Sequence, residues 1–245
     1  MLDFLCIGAQ KAGTSWLHAQ LVQHPGVAFP AGKEAHYWDW VQRGKRADDI
    51  EAYRRKFADV PGKRLGDMTP AYAVLEARYV EQIRTYFPDV RILFVLRNPI
   101  ERAWAAARMV LEEAQLEGDE VDESWYLPLL RSRASQARGD YETTLRRWRS
   151  IFPAEQIRVL FYDDLGRDPR AVLRTVAEHV GIDPAPLERL DEARLQRRVR
   201  AGPSVELPDA LRSELVALYR ERIESLGRYL GADLGHWLDG SHSAP

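Results

Sequence analysis

The stretch FLCIGAQKAGTSWL, residues 4–17, joins an apolar run to a glycine-containing segment and then to the start of an amphipathic pattern. The apolar run that ends at Gly8 is typical of a buried parallel strand. Apolar residues after Thr14 recur at helical spacing until a His-Pro-Gly sequence at residues 24–26 ends the pattern. The stretch therefore predicts a β-strand, a short loop and an α-helix in direct succession.

The loop between this strand and helix could hold a phosphate group. Backbone amides at a helix N-terminus bind anions, Lys11 adds positive charge, and Thr14 and Ser15 add hydroxyl donors. The same residues also suit an ordinary strand-to-helix turn in which Thr14 or Ser15 caps the helix. The Walker order of a nucleotide loop is not met, because Lys11 precedes Gly13 by two residues instead of following it.

Strands and helices alternate along the rest of the chain. The strongest strand pattern is VRILFVL at 90–96, and a further strand is predicted over 156–165. Helices are predicted over 71–87 and, as one helix or two, over 208–231. This alternation predicts an α/β fold in which residues 1–245 form a single domain with a central parallel sheet flanked by helices.

Two segments have poor periodicity. Residues 115–137 contain a glycine with several acids and arginines and could form a mobile insert. Residues 185–207 are polar and lack a regular pattern. Neither segment therefore carries a prediction of a regular element.

Composition narrows the function classes. The chain has 245 residues, 45% of them hydrophobic, and a net charge of −2, as in a soluble globular protein without the basic footprint of a nucleic-acid binder. A lone cysteine, Cys6, lies in the first apolar run and is interpreted as a buried small residue. The start of the chain shows no basic leader or membrane-length apolar run, which predicts a cytoplasmic protein with no membrane partner. The oligomeric state is not predicted.

Polar residues follow three of the predicted strands, in the segments Gly8–Ser15, Asp67–Thr69 and Arg97–Asn98. In a parallel sheet the carboxyl ends of the strands share one edge, and ligands bind beyond that edge. We therefore expect these three segments to contribute to one ligand site.

Five motifs follow one another along the chain: IGAQKAGTSWL, KEAHYWD, DMTPAYAV, LRNPIERAWAAARM and GDYETTLRRWRSIFPAEQIRVLFYDDLGRDP. In this order they resemble the motifs of the sulfotransferases that use 3′-phosphoadenosine 5′-phosphosulfate (PAPS), and most closely those of the carbohydrate (heparan sulfate type) branch. The resemblance covers residues 4 to about 180. It implies a P-loop NTPase-like fold and sulfuryl transfer from PAPS, with 3′-phosphoadenosine 5′-phosphate (PAP) as product and no metal.

The resemblance also implies which residues bind the donor. Lys11 would stabilise the leaving phosphate, and Arg97 would bind the 3′-phosphate through its guanidinium fork. An arginine of the 185–207 segment, which the resemblance makes a cofactor and substrate region, would be a further contact. The full set of implied cofactor-binding residues is Lys11, Ala12, Gly13, Thr14, Ser15, Trp16, Arg97 and Arg200.

On the acceptor side, Glu34 matches the carboxylate that serves as general base, and His36 and Asp39 match positions near the acceptor. The implied catalytic residues are therefore Lys11, Glu34 and His36. The two aromatic residues that directly follow His36 could provide an apolar setting, which would raise the pKa of a carboxylate base there. From the residues alone, Glu34 could also be a surface helix carboxylate and His36 a hydrogen-bonded packing histidine.

Two positions depart from the family pattern. Ala105 stands where a serine usually follows the 3′-phosphate arginine by eight residues, so one hydroxyl donor is missing. Met68 replaces a lysine that belongs to the substrate cleft of the heparan-type enzymes, which argues against a polyanionic glycan acceptor. The acceptor is accordingly expected to be a hydroxyl, or less favourably an amine, of a small molecule or glycan.

Two other functions remain open at this point. A P-loop nucleotide kinase would need a Gly-Lys-Ser/Thr signature and an acidic metal partner, for which FYDDL at 161–165 could be mistaken. A non-catalytic protein that binds PAPS or PAP on the same fold is consistent with Ala105 and Met68.

Overall fold

The structure, a computed structural model, describes residues 1–58, 60–116, 121–197 and 206–239. Within these residues a five-stranded sheet has the order β2-β3-β1-β4-β5, and each neighbouring pair of strands is parallel. The strands are β1 (Leu2–Gly8), β2 (Val27–Ala28), β3 (Arg64–Asp67), β4 (Arg91–Leu96) and β5 (Ile157–Phe161). The predicted α/β fold with a central parallel sheet is therefore confirmed.

Among the described residues, the chain divides into two compact units. The first comprises those within 1–96 and 146–199, and the second comprises those within 97–145 and 200–244. The helices of the first unit are α1 (Thr14–Leu21), α2 (Tyr37–Gln42), α3 (Ile50–Arg55), α4 (Ala77–Tyr86), α9 (Tyr162–Arg167), α10 (Pro169–Val180), α11 (Ala185–Glu188) and α12 (Glu192–Gln196), with 3₁₀ turns at Pro70–Val74 and Ala154–Gln156. The second unit holds α5 (Pro99–Glu113), α6 (Glu123–Arg131), α7 (Arg133–Gly139), α13 (Asp209–Leu230) and a 3₁₀ turn at Gly235–Trp237, while α8 (Tyr141–Arg149) crosses the boundary.

The two central strands, β1 and β4, are buried on both faces. Leu5 of β1 lies opposite Ile92 of β4 and Asp67 of β3, and all three side chains are fully buried. Because both faces are covered, these strands consist of nearly continuous apolar residues, which is why the sequence predicts them clearly. The strand order changes direction at β1, and in sheets of this kind ligands bind at the carboxyl ends of the strands near such a point.

Two predicted elements end differently in the structure. The helix predicted over 71–87 is divided into the 3₁₀ turn at Pro70–Val74 and α4, with an extended Leu75 between them. The strand predicted over 156–165 ends at Phe161, because the next four residues open α9 and place Asp163 and Asp164 in its first turn. Carboxylates are favourable at that end of a helix, so the acidic pair fits a helix start better than a strand.

The segments of poor periodicity contain regular structure. Residues 115–137, interpreted as a possible insert, include α6 and the larger part of α7, while 117–120 lie outside the described residues. The 185–207 segment includes α11 and α12 and is described as far as residue 197 and again from 206. Residues 208–231 form the single helix α13, which packs on α5 and α6.

Whether a helix can cross a bilayer depends on its length and its apolar character. Across the described ranges, no helix combines the length and the apolar character needed to cross a bilayer.

Candidate active site

The loop from Gly8 to Gly13 is shaped by backbone contacts. The Ala9 amide donates to the Val95 carbonyl of β4 (2.8 Å), and the Ala12 amide donates to the Ala9 carbonyl (3.2 Å). Gly13 is the N-cap of α1 and has a φ of 83°, and no side chain in the described part of the chain caps this helix. Thr14 and Ser15 therefore do not cap α1, unlike in the ordinary turn that the sequence left open.

Gly13 also has no room for a larger side chain. A Cβ atom there would lie 2.7 Å from Leu165 Cδ2 and 3.1 Å from Tyr162 Cδ2, both in α9. Its positive φ adds strain for any residue that has a Cβ. The start of α1 is thus closely fitted against α9, with the first amides of the helix lacking intrahelical acceptors.

Lys11 lies in the middle of this loop, half-buried and with a φ of 63°. Trp16, in the first turn of α1, donates from its indole Nε1 to the Leu195 carbonyl of α12 (2.8 Å). The 185–207 segment, predicted to be a cofactor and substrate region, therefore contacts the helix that follows the loop. Among the predicted amide donors, Ala12 is engaged with Ala9 within the loop.

Residues 33–37 are fixed against β3 and the turn that follows it. The Ala35 amide donates to Asp67 Oδ1 (3.2 Å), and the His36 amide donates to Thr69 Oγ1 (3.3 Å). The Met68 amide donates to the carbonyl of Lys33 (2.8 Å). The segment that carries Glu34 and His36 is therefore held from the interior, by the residues of the DMTPAYAV motif.

Asp67 is the centre of this interior contact. Its side chain is fully buried, and besides the Ala35 amide it accepts hydrogen bonds from the hydroxyls of Thr69 (2.6 Å), Tyr53 (2.8 Å) and Tyr72 (2.8 Å). Burial raises the pKa of the Asp67 carboxyl, and these hydrogen bonds lower it in part. Burial also raises the pKa of both tyrosine hydroxyls, so they act as donors to the carboxylate. Met68 is itself buried and belongs to the core, not to a substrate-facing surface.

Glu34, His36 and Asp39 form a connected group. His36 Nε2 lies 3.1 Å from Glu34 Oε2, and His36 Nδ1 lies 3.2 Å from both carboxylate oxygens of Asp39. Asp39 is buried, whereas the side chains of Glu34 and His36 are 27% and 31% exposed. An imidazolium donates from both ring nitrogens and neutral imidazole from one, so the histidine can share a proton with either carboxylate. The Glu34 side chain is accessible and the rest of the group positions it.

Lys33 connects this group to the start of α1. Its ammonium donates to Glu34 Oε1 (2.6 Å), Ser15 Oγ (3.0 Å) and Thr14 Oγ1 (3.3 Å). The structure therefore brings together four of the predicted site residues, Thr14, Ser15, Glu34 and His36, around a lysine that the sequence analysis did not assign. The scarcity of lysine, five residues against thirty arginines, was the available signal.

Aromatic residues near Glu34 are mostly structural. Tyr37 and Trp38 are buried in α2, while Trp40 is 36% exposed. The Trp40 ring stacks on the His36 ring at a centroid distance of 5.3 Å, and the Arg46 guanidinium lies 4.8 Å from its centroid. Trp40 thus contacts both the His36 ring and the Arg46 guanidinium.

The predicted 3′-phosphate residue lies in the second unit. Arg97 directly follows β4, is 20% exposed, and pairs with Glu101 of α5 through a 3.1 Å contact. Its carbonyl accepts a hydrogen bond from the Tyr141 hydroxyl (2.8 Å), which fixes the backbone at the start of α5. Arg200, the other predicted arginine, lies outside the described residues.

Two further observations concern reactive groups. Cys6 is fully buried, and burial raises the pKa of its thiol to about 12, as expected for a packing residue. In the portion of the chain that the structure describes, no group of three or more histidine, cysteine, aspartate or glutamate side chains is arranged to hold a metal ion.

Comparison with known proteins places these features in a family. A family model described as "Sulfotransferase family" matches residues 34–186, more than half of the chain. The bifunctional heparan sulfate N-deacetylase/N-sulfotransferase 2 of Homo sapiens is 25% identical over 209 residues, which cover 74% of this chain and 22% of that protein. A membrane-associated sulfotransferase of Dictyostelium discoideum is 29% identical over 105 residues, or 41% of this chain and 21% of that protein. The chain thus spans about a fifth of the length of these curated relatives.

Solved structures agree with the family match. A sulfotransferase from Alicyclobacillus acidocaldarius superposes with a TM-score of 0.74 at 26% identity, covering 97% of this chain and 98% of that one. A mouse sulfotransferase in complex with PAP superposes with a TM-score of 0.56 at 15% identity, covering 94% of this chain and 87% of that one. The fold is therefore the P-loop-like fold of sulfotransferases, as predicted.

Proposed function

The chain belongs to the sulfotransferase family, and we propose that it transfers a sulfuryl group from PAPS to a hydroxyl, or less favourably an amine, of a small molecule or glycan. The observation that carries this proposal is the placement of an accessible carboxylate, Glu34, beside the uncapped start of α1. A base for the acceptor and a cradle for the anionic donor are thereby linked through one lysine side chain. An in-line displacement at sulfur needs a base on the side of the acceptor and positive charge on the side of the leaving phosphate.

The residues at the start of α1 fit the anionic end of the donor. The amides at the helix N-terminus and the hydroxyls of Thr14 and Ser15 can donate hydrogen bonds to this anionic end. Lys11, in the preceding loop, adds positive charge, and so does Lys33, which contacts both hydroxyls. PAPS, when bound there, supplies the sulfuryl group and departs as PAP. We propose that Lys11 stabilises the charge on the departing phosphate, and that Arg97 and Arg200 bind the 3′-phosphate end.

Glu34 is proposed as the general base. Its carboxylate takes the proton of the acceptor hydroxyl as the acceptor oxygen forms a bond to sulfur and the bond from sulfur to the 5′-phosphate oxygen breaks. His36 holds one carboxylate oxygen at 3.1 Å and is itself held by the buried Asp39, so His36 and Asp39 fix the direction in which Glu34 points. His36 is also within reach of the proton that Glu34 receives.

The acceptor is proposed only as a class. Human N-deacetylase/N-sulfotransferase 2 carries heparan sulfate in its name, which supports a glycan for this chain as much as the branch resemblance does. Met68 stands where the heparan-type branch has a cleft lysine, but its side chain is buried in the core and therefore does not select the charge of the acceptor. We further propose that both compact units belong to one catalytic domain, because the Alicyclobacillus sulfotransferase aligns with 97% of the chain. The location in the cytoplasm stays a prediction.

The test begins with the donor. Isothermal titration of the full chain with PAP should give binding, and no binding at millimolar concentration would contradict the proposal. Transfer of labelled sulfate from PAPS to a panel of phenols, sugars and amines should persist in EDTA. Hydrolysis of ATP that depends on Mg²⁺, without sulfate transfer, would instead support the nucleotide kinase.

A Glu34→Gln variant separates an enzyme from a binding protein. The amide cannot accept the acceptor proton, so sulfate transfer should fall at least about 100-fold while PAP affinity stays near that of the wild type. Glu51→Gln is the matched control, since Glu51 is 60% exposed and pairs only with Arg54 in the described residues. Wild-type rates in Glu34→Gln would remove Glu34 from its role, and PAP binding without any transfer in the wild type would support the non-catalytic alternative.

A further inference from the structure

Lys33 occupies a position that its own chemistry does not favour. Its ammonium lies beside the first two residues of α1, at the end of the helix dipole that repels cations. The side chain is only 16% exposed, so water screens this interaction incompletely. The carboxylate of Glu34, 2.6 Å away, supplies the balancing charge.

The backbone keeps Lys33 in this place. Its carbonyl accepts the Met68 amide at 2.8 Å, and the following Ala35 amide is bound to the buried Asp67. The aliphatic part of the side chain therefore starts from a fixed backbone position, and its ammonium reaches the hydroxyls of Thr14 and Ser15. An anion at the start of α1 would meet the helix amides, the hydroxyls and this ammonium together.

We propose that Lys33 binds the 5′-phosphosulfate end of the donor and at the same time positions Glu34 toward it. This inference rests on the proposed function, and it adds a residue to it. An ammonium can donate three hydrogen bonds. Lys33 can therefore exchange its two hydroxyl partners for oxygens of the 5′-phosphosulfate and keep its contact with Glu34. Donor and base are then held by one side chain, with His36 on the other carboxylate oxygen.

A purely structural role for Lys33 predicts something different. If the side chain only ties residues 33–36 to α1, its loss would loosen both the cradle and the base without regard to which part of the nucleotide is bound. A direct contact with the 5′ end predicts a loss confined to ligands that carry a 5′-phosphate. The comparison of PAP with adenosine 3′-monophosphate, which lacks that group, distinguishes the two roles.

The experiment measures the affinity of both nucleotides for the full chain by calorimetry. In Lys33→Met, PAP should bind about tenfold more weakly, the loss expected for one charge-assisted hydrogen bond. The affinity for adenosine 3′-monophosphate should change by less than about twofold, and raising the salt should weaken PAP binding less than in the wild type. Lys33→Arg should restore PAP binding to within about threefold of the wild type, since the positive charge returns.

Controls keep the result interpretable. Lys45→Met removes a lysine from an exposed position and should leave both affinities unchanged. Lys33→Gln serves as a second neutral variant, and the unfolding midpoint of each variant shows whether the fold is kept. PAP binding at wild-type strength in Lys33→Met and Lys33→Gln, or equal losses for both nucleotides, would overturn the role of Lys33 alone. Failure of the wild type to bind PAP would instead overturn the proposed function and this inference with it.

Discussion

The loop before α1 and the segment that carries Glu34 are held in place by different means. The loop from Gly8 to Gly13 is shaped by main-chain bonds and by a glycine with positive φ, so its form depends on few side chains. The segment from Lys33 to His36 is instead bound to side chains of β3 and the turn after it, above all to Asp67. The first loop thus depends mainly on main-chain geometry, including a bond to β4, whereas the second depends on side chains more than 30 positions away.

This difference predicts different weaknesses. Substitution in the first loop should damage donor binding while leaving the rest of the fold intact. Substitution of Asp67, which lies beneath the 33–36 segment, should reduce both stability and catalysis, because buried polar groups lose their partners. The following experiments would break or sharpen the contrast.

The largest effect is expected for Asp67→Ala. It leaves the Tyr53 and Tyr72 hydroxyls and the Ala35 amide without their acceptor in the interior, and it opens a cavity. The free energy of unfolding should fall by about 3 kcal/mol or more, measured by urea denaturation.

The control for that variant is Asp164→Ala. Asp164 is 43% exposed and forms a surface ion pair with Arg167 at 3.2 Å, so the expected loss is about 0.5 kcal/mol. Equal losses in the two variants would contradict the central role of Asp67.

Gly13→Ala comes next in size. The positive φ costs roughly 1–2 kcal/mol for alanine, and the new methyl group collides with Leu165. PAP affinity, measured by calorimetry, should fall about tenfold or more. Gly44→Ala is the control, since Gly44 has a φ of 65° but open space around it. If both variants bind PAP like the wild type, the local geometry of the loop does not control donor binding.

The pH dependence of stability provides a third test. Burial raises the pKa of Asp67, so the folded state holds that proton more tightly than the unfolded chain. The contribution of Asp67 is therefore largest below its unfolded pKa of about 4 and is lost as the pH rises through its folded pKa, by at most about 1.4 kcal/mol per pH unit. The free energy of unfolding of the wild type minus that of Asp67→Asn should fall as the pH is raised from about 4. A difference that stays flat or rises with pH would show that burial does not raise the pKa of the Asp67 carboxyl.

The smallest effect is expected for Arg46→Ala. It removes the contact of the guanidinium with the Trp40 ring and a weak hydrogen bond to the Ala35 carbonyl (3.4 Å). The cost to stability should be about 0.5–1 kcal/mol, and sulfate transfer should change less than about threefold. If Arg46→Ala lowered the free energy of unfolding as much as Asp67→Ala does, the contacts of Arg46 would matter to stability as much as the buried contacts of Asp67.

The same contrast explains what the sequence predicts and what it leaves hidden. β1, α1 and β4 follow from apolar periodicity and glycine, which are local signals. The helix predicted over 71–87 is divided because Tyr72 is held by Asp67 and by the Tyr37 amide, contacts that no periodicity reveals.

The site shows the same limit. The resemblance of their motif indicates Glu34 and His36 but gives no role to Lys33, because its partners Thr14 and Ser15 lie 19 and 18 residues earlier in the chain. The sequence indicates Asp67 and Thr69 but places them at a ligand site, whereas the structure buries both and bonds Asp67 to Tyr53 and to the Ala35 amide, which are distant in sequence.

The attachment of residues 33–37 to the interior has an evolutionary consequence. Since the anchoring atoms belong to the backbone of this segment and to the core beneath it, the solvent-facing residues of α2 and of the turn after it carry little of that duty. Exposed residues such as Arg43 can therefore be exchanged while the proposed base, Glu34, keeps its place. A scaffold of this kind allows descendants to change substrate through ordinary surface mutations, without rebuilding the reaction centre.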